Sequence, residues 1–241
     1  MSLGAIGTAV ESVIPNVKFL SKKVIEAEAD ALLVAYGRDC SPITKPPIPV
    51  EDILETHLGL SLDLDNLRRL VGADDVLGAT WMPTREVFID QSLDPEEHAK
   101  MRGRYLFTVA HEIGHWQLHR QYFLRDEAQA GLLVKVPTEA SLVGLTEKAK
   151  RRIERQANFF ASCLLMPRAM VFEAWREGLR FMRTFNFKTD RALKRQILGR
   201  EMLRHIVNTF QVSSVALCIR MVELGFLERY GLRKPGSSEA V

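Results

Sequence analysis

The chain has 241 residues, 46% of them apolar and 26% charged, with a formal net charge of +3. That length buries a substantial core, in one domain or in one domain with a small appendage, and the balance is ordinary for a globular protein. No stretch approaches ~20 uninterrupted apolar residues, which argues against a membrane span. Cys40, Cys163 and Cys218 are odd in number, widely spaced and without CxxC pairing. They argue against a disulfide framework or a thiolate zinc site and fit a reducing cytoplasm.

Residues 1–18 are mildly apolar, lack a basic n-region and are interrupted by Glu11, so they are expected to be disordered and not a signal peptide. Residues 19–36 have helical apolar spacing and meet Gly37, a natural C-cap. The proline-rich stretch 41–49 cannot be helical and feeds a short helix, 50–58, closed by Gly59. Leu60, Leu62 and Leu64 alternate with polar residues as in a half-buried strand, and residues 78–82 and 86–90 predict two more strands joined at Pro83-Thr84. Asp94 as N-cap and Pro95 after it predict a long helix to about Arg120. Residues 121–145 have no clear period. Thr146 then caps another helix that runs to Met166 and stops at Pro167. The remainder is mostly helical and frays after Leu232.

The result is an α+β chain, a small sheet against several helices. The principal domain is expected over 19–170, a helical C-terminal subdomain over 171–232, and a flexible tail over 233–241. From residue 170 onward there are 13 Lys and Arg against 7 Asp and Glu. Within that basic third, residues 201–227 read as a helix, a tight break at Val212-Ser213 and a second helix capped by Ser213 or Ser214. Val215, Leu217, Cys218, Met221, Val222 and Leu224 give the second helix an apolar stripe, usually core. With Arg204, Arg220 and Arg229 nearby, the pair also has the outline of a winged-helix element, so a DNA-binding or protein-docking regulator is the rival reading. Helix packing is favoured, because the second helix offers few polar residues for reading bases.

His111-Glu112-Ile113-Gly114-His115 is an HExxH motif inside the long predicted helix. Residues at i and i+4 share a helix face, so both imidazoles reach one metal ion. Glu112, one residue on, comes close enough to take a proton from water activated at that ion without competing as a ligand. The flanking Tyr105, Leu106, Phe107, Val109, Ala110, Ile113, Trp116 and Leu118 bury the helix, and a buried histidine pair needs partners. A catalytic zinc keeps three protein ligands and one open position. His119 continues the series but is turned ~40° further round the helix at each step, so it reads as a residue behind the ligands or in the cleft. Glu154, among apolar and small neighbours on the next strong helix, is the better third ligand. Asn158, one turn after it, is placed to orient a ligand histidine through its other ring nitrogen. Glu147 is explained as first-turn capping. Tyr105, Tyr122 and His119 are unranked candidates for supporting an oxyanion.

The run from Tyr105 to His119 resembles the core motif of the ImmA/IrrE family of metallopeptidases. So does the run from Glu154 to Ala161 ending in Leu164-Leu165-Met166-Pro167. The likeness extends upstream to Ile48-Pro49-Val50-Glu51-Asp52-Ile53 and Leu58-Gly59-Leu60, and downstream to residues 210–217, Arg220-Met221 and Leu224-Gly225. It implies a zincin-like helical core with a small, mostly antiparallel sheet. It also implies one Zn2+, with Mn2+ or another divalent metal possible, held by His111, His115 and Glu154, with Glu112 as base. It further implies a protein substrate, a helix-turn-helix transcriptional repressor cleaved in a stress or mobile-element response. No helix-turn-helix domain is recognisable ahead of the motif, so that repressor is expected to be a separate chain. The stretch 121–145 is longer than the family pattern suggests and is expected to form a flap over the cleft.

Overall fold

The computed structural model describes residues 17–72, 75–123, 146–184 and 191–226. Residues 124–145 of the expected flap, the tail and Arg229 lie outside these residues, as do residues 1–16 of the expected disordered start, whereas Gln121, Tyr122 and Phe123, expected in the flap, continue the helix that carries the motif. Val17 and Lys18 do not share that disorder: Val17 is buried against Ile153, and the Lys18 N–H donates to the Tyr122 hydroxyl.

Helix α1 (Lys22–Asp39) is capped by Ser21, whose side chain accepts from the Val24 N–H. It runs past Gly37 because the Cys40 N–H closes on the Tyr36 carbonyl, so no left-handed residue is needed there. A Cβ at Gly37 would lie 3.5 Å from Pro42, an ordinary contact, so neither space nor backbone conformation demands glycine there. Helix α2 (Val50–Asp52) continues as a π-helical turn (Ile53–His57) and ends at Gly59, with φ +62°. Strand β1 (Ser61–Asp65) and a short α3 (Leu67–Val71) follow, then the hairpin strands β2 (Gly78–Trp81) and β3 (Glu86–Asp90).

The sheet has the order β1-β3-β2. The hairpin pair is antiparallel, but β1 runs parallel to β3, so the sheet is mixed and not mostly antiparallel. The chain leaves β1 through α3 before making the hairpin, and that crossover sets β1 alongside β3 in the same direction. Side chains alternate across the pleat. Val87 and Ile89 join the main core, whereas Ala79, Trp81 and Phe88 pack on the opposite face with Leu67 of α3. Leu64 stays exposed, so β1 is less buried than its alternation suggests.

Helix α4 (Arg102–Phe123) lies on the Val87–Ile89 face of the sheet. Its first residue, Arg102, comes seven residues after Pro95, where the sequence suggests the helix begins. Asp94 does not cap it. Its carboxylate accepts from the Glu96 N–H at 2.8 Å and its carbonyl from the His98 N–H, so the Asp-Pro pair makes a turn. Helix α5 (Glu147–Leu165) is capped by Thr146 as expected and packs along α4, with α1 on its far side. Gly114 permits the close α4–α5 crossing: a Cβ there would sit 3.1 Å from the Ala157 backbone.

Helices α6 (Arg168–Thr184), α7 (Arg191–Phe210) and α8 (Ser214–Glu223) complete the chain, and the apolar core is continuous from α1 to Phe226. Ser213 caps α8, which bends 100° from α7. Leu217, Met221 and Leu224 face the core, but Val215, Ile219 and Val222 are exposed, so only part of the expected stripe is buried. Arg220 is not a surface cation. At 1% exposure it donates to the Met166 carbonyl at 3.0 Å and to Glu26 at 2.6 Å, tying α8 to α1 and the end of α5. Arg204 is exposed and paired with Glu201. Among the described residues no strand follows α8 to form a wing, and no single helix is long and apolar enough to cross a membrane.

Candidate metal centre

The site lies where α4 and α5 cross. The i, i+4 spacing of His111 and His115 brings their Nε2 atoms to 2.8 Å. Glu154 of α5 reaches the same point, with Oε2 3.3 Å from His111 Nε2 and Oε1 3.5 Å from His115 Nε2. A tetrahedral site with bonds of about 2.1 Å separates its donors by about 3.4 Å, close to the two carboxylate spacings. The Glu154 Oε1 atom is buried and accepts no hydrogen bond. Its unmet demand, two imidazole nitrogens at short range and a carboxylate fit a divalent cation. His111, Glu112 and His115 also form a group whose ligand atoms lie within 4.8 Å of one another. His115 is closed off, whereas His111 and Glu154 keep 15% and 38% of their side-chain surface, so the centre opens to solvent on that side.

Burial and near neighbours set the electrostatics. Burial pushes the Glu112 carboxyl up to about 7, against the pull of His111 and the Thr80 hydroxyl and with a push from Glu154. Burial, then the neighbouring His111 and His119, hold His115 well below the usual imidazole range. At His111 burial acts downward, yet Glu154, Glu112 and Asn158 outweigh it and raise the value. The centre therefore favours one cationic group beside His111, whether a proton or a metal ion.

Glu112 is held from the sheet side. Thr80 Oγ1 donates to its Oε2 at 2.6 Å. Strand alternation brings Gly78 to the same face, where a Cβ would fall 2.6 Å from Glu112 Oε1 and from Thr108 Cγ2. β2 therefore supplies a hydroxyl at one position and an absence of side chain two residues earlier. Neither could be read from the sequence, because Gly78 and Thr80 carry no local signal until β2 is known to face α4.

Asn158 and His119 lie beside the two imidazoles. His111 Nδ1 donates to Asn158 Oδ1 at 3.2 Å, which directs the other ring nitrogen to the centre. His119 is fully buried behind His115, its Nδ1 3.2 Å from His115 Nδ1. Burial brings His119 down to about 4, partly offset by Gln156 and Glu154. Glu147 remains in the first turn of α5, paired with Lys150. Tyr105 is not brought to the site: it is buried in the core, and burial together with Glu51, its hydrogen-bond partner, raises its hydroxyl far above the usual range. Tyr122 is also engaged elsewhere, accepting from Lys18. Gln156 was missed by sequence reasoning. Its signal is a polar residue on the buried Ile153, Ala157, Phe160 stripe of α5.

No curated protein matches the chain. Among solved structures it is similar to a Mycobacterium tuberculosis transcriptional regulator, at 15% identity and a TM-score of 0.45. That match covers 83% of this chain and 47% of the regulator, so this chain spans about half the regulator's length. Residues 62–222 match the Peptidase_M78 family, described as the IrrE N-terminal-like domain. The matched span contains both motif helices and the strands beneath them, and on that match the chain belongs to the Peptidase_M78 family of metallopeptidase-like proteins.

Proposed function

We propose that this chain is a cytoplasmic, zinc-dependent metallo-endopeptidase that cleaves a protein substrate. The substrate class implied by the family resemblance is a helix-turn-helix transcriptional repressor, cut in a stress or mobile-element response. One observation carries the hydrolytic reading: two imidazole Nε2 atoms and the buried, unbonded Oε1 of Glu154 meet at one point from two helices. His111, His115 and Glu154 would hold the ion, and manganese or another divalent metal suits the same donors. When bound, zinc supplies Lewis acidity toward water and a peptide carbonyl. Glu112 acts as the base: Thr80 holds its Oε2, and its Oε1 is left to accept a proton from water and return it to the leaving amine. The open side at His111 and Glu154 admits a peptide.

A DNA-reading role for α7 and α8 has less support. Arg220 is consumed inside the fold, and the outward face of α8 is apolar at Val215, Ile219 and Val222. The deciding experiment is metal analysis of the purified protein beside a cleavage assay against repressors encoded next to its gene. One equivalent of a divalent metal and chelator-sensitive cleavage are expected. Protein free of bound metal, or cleavage indifferent to a chelator, would contradict the reading.

A further inference from the structure

We propose that His119 and Gln156 are positioning residues that fix His115 in the tautomer whose Nε2 is free for a metal ion, through a relay that is buried at both residues and ends on the Lys18 carbonyl. This deepens the metal-site reading and rests on it.

The direction of the relay follows from its far end. A carbonyl oxygen only accepts, so the Gln156 atom 3.0 Å from the Lys18 oxygen is its amide Nε2, which donates. Gln156 must then turn Oε1 toward His119 Nε2, 2.9 Å away, so that nitrogen carries a hydrogen. His119 is fully buried, and among the described residues no carboxylate is hydrogen-bonded to it. It is neutral for that reason, and its Nδ1 is a bare acceptor. His115 Nδ1, 3.2 Å away, therefore donates. A neutral imidazole has one N–H, so His115 Nε2 is left bare. That atom faces His111 Nε2 and Glu154.

The anchor is as well fixed as the relay. Val17 is buried against Ile153, Arg152 donates to the Val17 carbonyl at 2.5 Å, and Tyr122 accepts from the Lys18 N–H at 3.1 Å. Residues 17–18 thus lie clamped between the ends of α4 and α5, and the Lys18 oxygen has little freedom to turn away. The two imidazoles are oriented by different means. His111 relies on one hydrogen bond to exposed Asn158, whereas His115 relies on a chain of three whose first two links are buried and whose last, at Lys18, is half-buried. The two buried links are strengthened by the low dielectric around them, and the clamp on residues 17–18 holds the last.

Long-range 1H–15N correlation spectra of the metal-free protein report each histidine tautomer directly, and chelator competition with zinc reports affinity. Wild type is expected to hold His115 with hydrogen on Nδ1. His119→Gln should keep that state, since its amide can accept from His115 and donate onward to Gln156. His119→Phe and Gln156→Leu should release the tautomer and weaken zinc binding about ten- to hundredfold, the usual cost of losing a partner behind a ligand histidine. Hydrogen on His115 Nε2 in the wild type would overturn the proposal even if every variant misfolded. So would unchanged zinc affinity in folded His119→Phe and Gln156→Leu. The tautomer is read without metal, so a wild type that binds no metal would sink the hydrolytic reading and leave the spectral result to decide the relay.

Discussion

Replacing Glu112 with Gln is expected to remove hydrolysis while leaving the metal bound, a loss on the order of 10²–10⁴-fold in rate for a general acid–base group. Glutamine has the same shape and keeps an oxygen for Thr80, so the cradle from β2 stays filled. The metal-free protein supplies an independent readout. The Glu112 carboxyl has an ordinary value of 4.5 and is raised by burial to about 7 in the fold. Between those values Glu112 holds a proton in the folded chain that it has released in the unfolded chain, so its contribution to stability falls as pH rises through that window. Above it, the contribution of Glu112 has fallen by about 3 kcal/mol relative to acid conditions. The amide of the variant carries no such charge, so metal-free Glu112→Gln should be the more stable protein at pH 8, and the difference should shrink toward pH 5. Retained cleavage in Glu112→Gln would remove Glu112 as the base. Loss of metal would make it a ligand or a structural group.

Substituting Glu154 by Leu should have the largest effect on metal affinity, greater than the roughly hundredfold upper range for partners behind the ligands. The change removes the only carboxylate within 3.5 Å of both imidazole Nε2 atoms among the described residues, yet leucine keeps the helical propensity of α5. His111 and His115 would still face each other at short range, and two nitrogens hold a divalent ion far more weakly than three donors. His111 also loses the neighbour that most favours its protonated form, so its titration should move down in the metal-free variant. Zinc titration calorimetry measures the first effect. An unchanged affinity would mean that Glu154 lies near the centre without serving it.

The parts of the site that were legible are those set by local chain geometry. The i, i+4 pair needs only a helix, and that helix is marked by its apolar flanks. Glu154 and Asn158 could be placed because Thr146 and Pro167 bound a strong helix whose small residues suit a close crossing. What escaped depends on tertiary packing. Thr80 and Gly78 matter because β2 lies under Glu112. Tyr105 looked like a cleft residue by nearness in sequence, but the helix turns it toward Glu51 instead. Arg220 read as a surface cation until the crossing of α1, α5 and α8 enclosed it. Two boundaries moved for local reasons that compete with the usual signals. Asp94 spent its cap on a turn at Pro95, and the Cys40 N–H closing on the Tyr36 carbonyl carried the first helix past Gly37, where it was expected to end. The parallel pairing of β1 was invisible because alternation reports burial and not strand direction.

The most direct measurement is an anomalous difference map, recorded at the zinc edge, from crystals grown with zinc. A single peak is expected in contact with His111 Nε2, His115 Nε2 and a carboxylate oxygen of Glu154. A peak elsewhere, no peak, or an ion held by the histidines with Glu154 turned away would contradict the shared centre of α4 and α5.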